Sequence, residues 1–276
     1  MAQDLQAVAD RIRRYFKPRH LDFEALEQNI GECYALNLRR LRAELGWGQE
    51  QIAGEMGVSR TQYRNYEAGD SFPRMSTTAR FMQLTGVPFP YFFIGSGYEP
   101  VFSHLHVRGH WLPVQIFAGR ASDIQFEAVV DILAEHLQRR LPRPEALAAL
   151  TWPDPEAVRA ELDHYYVLVA NGLRQFREIV QYPQEDMAAL LGTTQRTLSR
   201  YEDSGEEPHF SVLMALRLWA STGLAPIWLM HGTCFFRMRM LQHQRMGYLA
   251  QLLDDVPECT QVQMTSLMRQ ISHLTL

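Results

Sequence analysis

The chain has 276 residues, 46% of them hydrophobic, with 27 basic and 31 acidic side chains and a formal net charge of −4. That length and apolar content suit one large or two small globular domains and exclude a disordered chain. No apolar run nears the ~18 residues of a membrane span, and the net acidity excludes a protein that coats nucleic acid indiscriminately.

The first segment, "MAQDLQAVADRIRRYFKPRH", is charged and amphipathic and lacks the apolar centre of a secretory signal, so a cytoplasmic protein is expected. "LDFEALEQNIGECYALNLRRLRAEL" predicts a helix with Gly31 as its only breaker, followed by a run of short helices to about residue 96. Beyond it, "YEPVFSHLHVRGHWLPVQIFAGRASD" reads as extended or irregular, with short strands. "FEAVVDILAEHLQRRL" carries Phe126, Val129, Val130, Leu133 and Leu137 on one stripe and predicts an amphipathic helix. The four prolines of "PRPEALAALTWPDP" mark a linker or sharp turn. Asp154 then caps a helix with Pro155 in its first turn.

"GLRQFREIV" spaces Leu173, Phe176, Ile179 and Val180 as a helix does. Pro183 and Gln184 open "QEDMAALLG", whose Met187, Leu190 and Leu191 share a face. Gly192 stops it in the left-handed conformation that suits glycine, and Thr193 or Thr194 caps the next helix. "QRTLSRYE" then turns Leu198 and Tyr201 inward and polar residues outward. Two short helices joined by a glycine turn make a helix-turn-helix. The final "FFRMRMLQHQRMGYLAQLLDDV" and "CTQVQMTSLMRQISHLTL" read as helices whose methionines serve a core or an oligomer contact.

Residues 38–75 lie over 173–210 without a gap, at a shift of 135 positions. Leu38, Arg39, Arg42, Gln49, Glu50, Ala53, Gly57, Tyr66, Glu67 and Pro73 meet identical partners in Leu173, Arg174, Arg177, Gln184, Glu185, Ala188, Gly192, Tyr201, Glu202 and Pro208. After a two-residue insertion, Gly86, Tyr91 and Gly95 meet Gly223, Trp228 and Gly232. Such an internal repeat decides the architecture before any single motif does.

Both copies resemble the Cro/cI-type helix-turn-helix family of phage repressors and bacterial regulators, also called XRE. The likeness rests on "LRxxR", "QExxA", the turn "Gxx[ST]", "YE" and the proline six positions after the glutamate, over about 36–96 and 170–234. It implies a mainly α-helical fold with two lambda-repressor-like modules and extra helices. It also implies structural ion pairs Arg42–Glu67 and Arg177–Glu202, and Gln49 and Gln184 placed to touch backbone phosphate. The readers of base edges would be Arg60, Thr61, Gln62 and Asn65 in the first copy and Gln195, Arg196, Thr197 and Arg200 in the second. Arginine suits guanine, Asn or Gln suits adenine, and a threonine methyl suits thymine.

The two reading sets differ throughout, so an asymmetric DNA site of two unlike half-sites is expected. Local charge favours the first copy: residues 36–96 sum to +2 and residues 170–234 to −2. All basic residues except Lys17 are arginine, which reflects phosphate gripping or codon usage alike. The expected division is 1–97 for the first module with its N-terminal helix, 98–158 for a connecting region, 159–234 for the second module, and 235–276 for C-terminal helices that serve dimerisation. Double-stranded DNA and a second copy of the chain are the expected partners, with an effector or protein partner as a further one and no membrane.

Three other chemistries find little support. Cys33, Cys234 and Cys259 lie far apart with no CxxC pair, as buried thiols would, and indicate neither zinc nor a disulfide framework. His104, His106 and His110 stand close together near Trp111 but follow no metal-ligand spacing, so no metal or cofactor is expected. Ala118–Gly119 looks like the self-cleavage bond of phage-type repressors. That reaction needs a serine activated by a lysine; no lysine follows Lys17 and no serine lies between Ser122 and Ser199. No enzyme is expected. The rival reading is a protein-interaction module, antitoxin-like or a polymerase adaptor, that keeps the helix-turn-helix folds as scaffold.

Overall fold

The computed structural model describes residues 9–10, 12–105, 111–148, 150–205, 210–254 and 256–273. It is all-α. Among these residues no strand forms, and the one β feature is an isolated antiparallel bridge between Arg74 and Ser211. Pro208, His106 and His110 lie outside the described residues.

The first half runs α1 (Phe23–Glu27), α2 (Ile30–Leu45), α3 (Gln49–Met56), α4 (Arg60–Ala68) and α5 (Met75–Thr85), then a 3-10 turn at Phe89–Phe93. A short α6 (Glu99–Phe102), α7 (Leu112–Arg120), α8 (Asp123–His136) and α9 (Glu145–Ala148) connect the halves. The second half repeats the order with α10 (Pro155–Asp163), α11 (Tyr165–Ile179), α12 (Gln184–Leu190), α13 (Gln195–Tyr201) and α14 (Val212–Thr222), then a 3-10 turn at Pro226–Met230. α15 (Cys234–Leu253) and α16 (Glu258–His273) close the chain.

The local chemistry of the two turns is shared. Gly57 ends α3 at φ +68°, and Gly192 follows α12 at φ +62°, a region that costs glycine little and other residues more. The Ser59 hydroxyl then accepts from the Gln62 N–H at 3.1 Å, and the Thr194 hydroxyl from the Thr197 N–H at 3.2 Å. Each cap satisfies an N–H that the start of a helix leaves without a partner. Asp154 caps α10 in the same way, through the Glu156 N–H at 3.1 Å.

Three expectations need correction. In the stretch 98–123, expected to be extended or irregular with short strands, the described residues form α6, a 3-10 turn at Ser103–Leu105, α7 and the start of α8. Every residue of α7 from Leu112 to Gly119 is buried, so it has no polar face to betray a 3.6-residue period. The helix expected over "LDFEALEQNIGECYALNLRRLRAEL" breaks at Gln28–Asn29 instead of Gly31, and the one expected from Asp154 onward breaks at His164.

Two cores result. The larger joins both halves, from Leu38, Leu41 and Tyr63 to Leu173, Leu198 and Trp219. The smaller is built by α7 and α8 against α15 and α16, with Phe117, Val129, Leu249 and Met268 among its members. The methionines Met246, Met264 and Met268 of the last helices sit in this second core.

The contacts between the halves are reciprocal. Arg74 and Ser211 are the N-caps of α5 and α14, the same place in each half, and they pair with each other. Arg80 on α5 reaches Asp163 at the end of α10, at 2.8 Å. Arg217, its counterpart on α14, grips Glu27 at the end of α1 with two bonds of 2.7 Å. Contacts that swap in this way are what a two-fold axis produces, as in a symmetric dimer.

Within each half, the first helix of the module packs closely on the 3-10 turn. A Cβ on Gly172 of α11 would fall onto the Leu229 carbonyl of the 3-10 turn. At the corresponding place in the first half, Asn37 bridges instead, its amide donating to Ile94 O at 2.9 Å. Gly172→Ala is expected to cost about 1–3 kcal/mol by overpacking. Gly54→Ala, in α3 with no neighbour within 4 Å of the new carbon, should instead add about 0.5–1 kcal/mol. Denaturant unfolding of the two variants distinguishes these outcomes.

Candidate nucleic-acid interface

Each half holds its third helix from beneath by one carboxylate. Glu67, at the end of α4, is buried and accepts from Arg42 Nε at 2.6 Å, Gln49 Nε2 at 2.6 Å and the Tyr63 hydroxyl at 2.9 Å. Glu202, directly after α13, accepts from Arg177 Nε at 2.7 Å, Arg177 Nη2 at 3.0 Å and Gln184 Nε2 at 2.8 Å. Arg42 and Arg177 also reach back to the carbonyls of Trp47 and Tyr182. Arg39 and Arg174 donate to the backbone carbonyls of Glu67 and Glu202, satisfying the C-terminal end of the helix where positive charge is favoured.

Position by position the two networks coincide except at the tyrosine. Leu198 stands where Tyr63 does, so Glu202 lacks that donor. Its pair is nevertheless the more enclosed, with side-chain exposures of 17% and 2% against 26% and 6% for Arg42 and Glu67.

Electrostatics follow from this geometry. Burial would raise the Glu67 pKa, but the bonds from Arg42, Gln49 and Tyr63 outweigh it and hold the carboxyl below its ordinary value. Arg42 and Arg177 are pushed above theirs, each chiefly by the hydrogen bond to its glutamate. Burial, reinforced by the bond to Glu67, raises the Tyr63 phenol.

Above this support, α4 presents a polar face. Arg60, Thr61, Gln62 and Asn65 are all exposed, and Arg64, which the sequence reading passed over, is exposed among them. The Gln62 amide donates to the Tyr66 hydroxyl at 2.7 Å, which steadies its side chain. On α13, Gln195, Arg196 and Arg200 are exposed. Thr197 is half-buried, with its hydroxyl 2.9 Å from that of Thr194, so part of its bonding capacity is turned to the cap.

Sequence reasoning placed Gln49 and Gln184 for phosphate contact. The structure puts their amide nitrogens on Glu67 and Glu202, which makes each glutamine a third member of the buried pair. The signal was available in part: both glutamines recur in register with the arginine and glutamate of each copy.

Residues 34–89 match the helix-turn-helix domain family. The matched span runs from α2 to the start of the 3-10 turn and contains the whole of α3, α4 and α5. The chain is 33% identical over 55 residues to the cryptic phage CTXphi transcriptional repressor RstR of Vibrio cholerae, covering 20% of this chain and 50% of that protein. It is 26% identical over 110 residues to the HTH-type transcriptional regulator YqaE of Bacillus subtilis (strain 168), covering 39% of this chain and 95% of that one. The chain thus spans half of one relative and nearly all of the other. No solved structure matches.

Among the described residues no cluster of three or more His, Cys, Asp or Glu could hold a metal, and no helix is long and apolar enough to cross a membrane. His104 lies exposed in the 3-10 turn after α6.

Removing Glu67 would leave Arg42 half-buried without its counter-charge, so Glu67→Ala should cost about 3–5 kcal/mol. Arg60→Ala, on the exposed face, should stay within about 0.5 kcal/mol of the parent. Because the folded pKa of Glu67 is depressed, its contribution is full above the ordinary carboxylate pKa of about 4.3 and is lost as pH falls through the lower folded value. Urea midpoints between pH 3 and 7 should therefore fall less steeply with acid in Glu67→Gln than in the parent.

Proposed function

We propose that the chain is a DNA-binding transcription regulator in which two helix-turn-helix modules, α2–α5 and α11–α14, face one duplex as an internal pseudo-dimer. The first module takes in residues 1–97 and the second 159–234, both of the Cro/cI type. In this reading α4 and α13 lie in successive major grooves. Their side chains read two unlike half-sites, and the helices of 98–158 and 235–276 brace the pair.

The observation that carries the proposal is the reciprocal contact between the halves. Arg74 pairs with Ser211, the N-cap at the same place in the other half, while Arg80 and Arg217 cross in opposite directions to α10 and α1. A two-fold relation between two reading helices is the geometry by which helix-turn-helix dimers engage two half-sites about 34 Å apart. A single chain with that internal symmetry can supply both readers without a partner. The matched relatives, one named a transcriptional repressor and one a transcriptional regulator, support the functional class.

The assigned readers are Arg60, Thr61, Gln62 and Asn65 on α4 and Gln195, Arg196, Thr197 and Arg200 on α13, with exposed Arg64 added as a phosphate contact. The first module carries the excess of positive charge and dominates the non-specific, salt-sensitive part of binding. Dimerisation of the whole chain would present four modules to a longer composite site.

Selection of bound fragments from random duplex DNA tests this reading. The parent should yield a long motif without internal symmetry. Arg60→Ala and Arg196→Ala should each relax a different half of it, with a loss of about 1–3 kcal/mol, or roughly 5- to 150-fold, on the preferred sequence. A palindromic motif affected by Arg60→Ala alone would make α13 a scaffold or a partner surface. No motif at moderate salt would set the interaction-module reading in its place.

A further inference from the structure

A cavity of about 510 Å³ lies between the halves. Its walls repeat across the pseudo-two-fold. Met82 of α5 and its counterpart Trp219 of α14 both line it, as do Phe89 and its counterpart Pro226 from the two 3-10 turns. α15 closes one side with Arg239, and the mouth carries Lys17 and Arg19 from the N-terminal segment.

The charge of this cavity is one-sided. Among the described residues that line it, Lys17, Arg19 and Arg239 are permanent cations and none is acidic. Arg239 is 9% exposed and forms no ion pair with a described carboxylate. It donates only to the carbonyls of Met82 at 3.4 Å and Val87 at 3.2 Å. A guanidinium stays charged, and a buried charge without a counter-ion is costly enough that natural proteins pair it or dispense with it. The other deeply buried arginine of α15, Arg245, is paired, with Asp123 and under the rings of Phe126 and Trp152. Arg239 stands apart in facing a cavity of ligand size, with apolar walls and few polar groups, which is the usual form of a small-molecule site.

We propose that this cavity is an effector site for a small organic anion, its acidic head on Arg239 and a flat apolar body against Trp219, and that its occupancy alters how the two halves are set against each other. The ligand would touch both halves at once, because equivalent residues of each form its walls. α5 and α14, which line the cavity through Met82 and Trp219, are the two helices whose N-caps pair at Arg74 and Ser211. An effector shifts an equilibrium only by its differential contacts with the two states, and a site shared by both halves supplies them. The regulatory part rests on the DNA-binding reading above; the anion site does not.

The test uses the full chain and two fluorescent probes, 8-anilinonaphthalene-1-sulfonate and its neutral analogue N-phenyl-1-naphthylamine. The anion should bind one per chain and at least tenfold more tightly than the neutral probe. Arg239→Met should weaken the anion at least tenfold and leave the neutral probe unchanged. Lys17→Glu with Arg19→Glu, at exposed positions that do not threaten folding, should weaken the anion at least threefold. Equal binding of the two probes, no saturable binding, or indifference of the anion to these charge changes would overturn the site. Saturating anion should then shift the affinity for a selected duplex at least fivefold; an unchanged affinity would overturn the regulatory part and leave the site. If the chain binds no selected duplex, the DNA-binding reading fails, and the probe titrations alone decide the cavity.

Discussion

A backbone bridge between Arg74 and Ser211 joins the two halves of this chain where each presents the N-cap of the same helix. The other contacts between the halves keep the same reciprocal pattern, over a core that both halves share. Once the N-caps of α5 and α14 are paired, the arginine one and a half turns further along each helix comes within reach of the helix that opens the opposite half. In the proposed pseudo-dimer the same axis would relate α4 and α13, and the cavity lies beside α5 and α14. On the reading proposed above, a covalent link between the two modules would remove the concentration dependence of dimerisation and free the two copies to diverge. The two reading faces share no side chain at the assigned positions.

Divergence has left different marks on support and on surface. Beneath the third helix, the arginine, the glutamine and the glutamate are the same in both copies, and the bonds from arginine Nε and glutamine Nε2 agree within 0.2 Å. A buried carboxylate cannot lose a donor cheaply, and Tyr63 with Leu198 is the one exchange the network holds. On the outward face Arg60 and Arg196 are exposed, so on the proposed reading substitution there would alter recognition without altering the fold. Residues 36–96 sum to +2 and residues 170–234 to −2, which would suit a division between a module that grips the backbone and one that discriminates.

How far the sequence alone reaches can be judged element by element. The glycine turn and its cap were legible because positive φ and an N-cap hydroxyl each restrict the choice of residue to a few types. The Arg42–Glu67 and Arg177–Glu202 pairs could be named because the resemblance to the Cro/cI-type family implies them and the motif that carries it occurs in both copies. α7 was not legible, because a helix buried on all sides reads as a plain apolar run. The breaks at Asn29 and His164 escaped because neither residue is a strong breaker; tertiary packing, not propensity, sets them. Arg239 and Arg245 carry no mark in the sequence that sets them apart from the other arginines of α15. Only the second core and the cavity show that both point inward. Long-range placement of this kind has no local signature.

The central claim is that one chain supplies both readers. The most direct measurement is the stoichiometry of the saturated complex on a selected duplex by sedimentation velocity, with hydroxyl-radical footprinting of the same complex. The account predicts one chain per duplex and two protected patches of unlike sequence, about one helical turn apart on one face. Two chains per duplex over mirrored copies of a single half-site would contradict it.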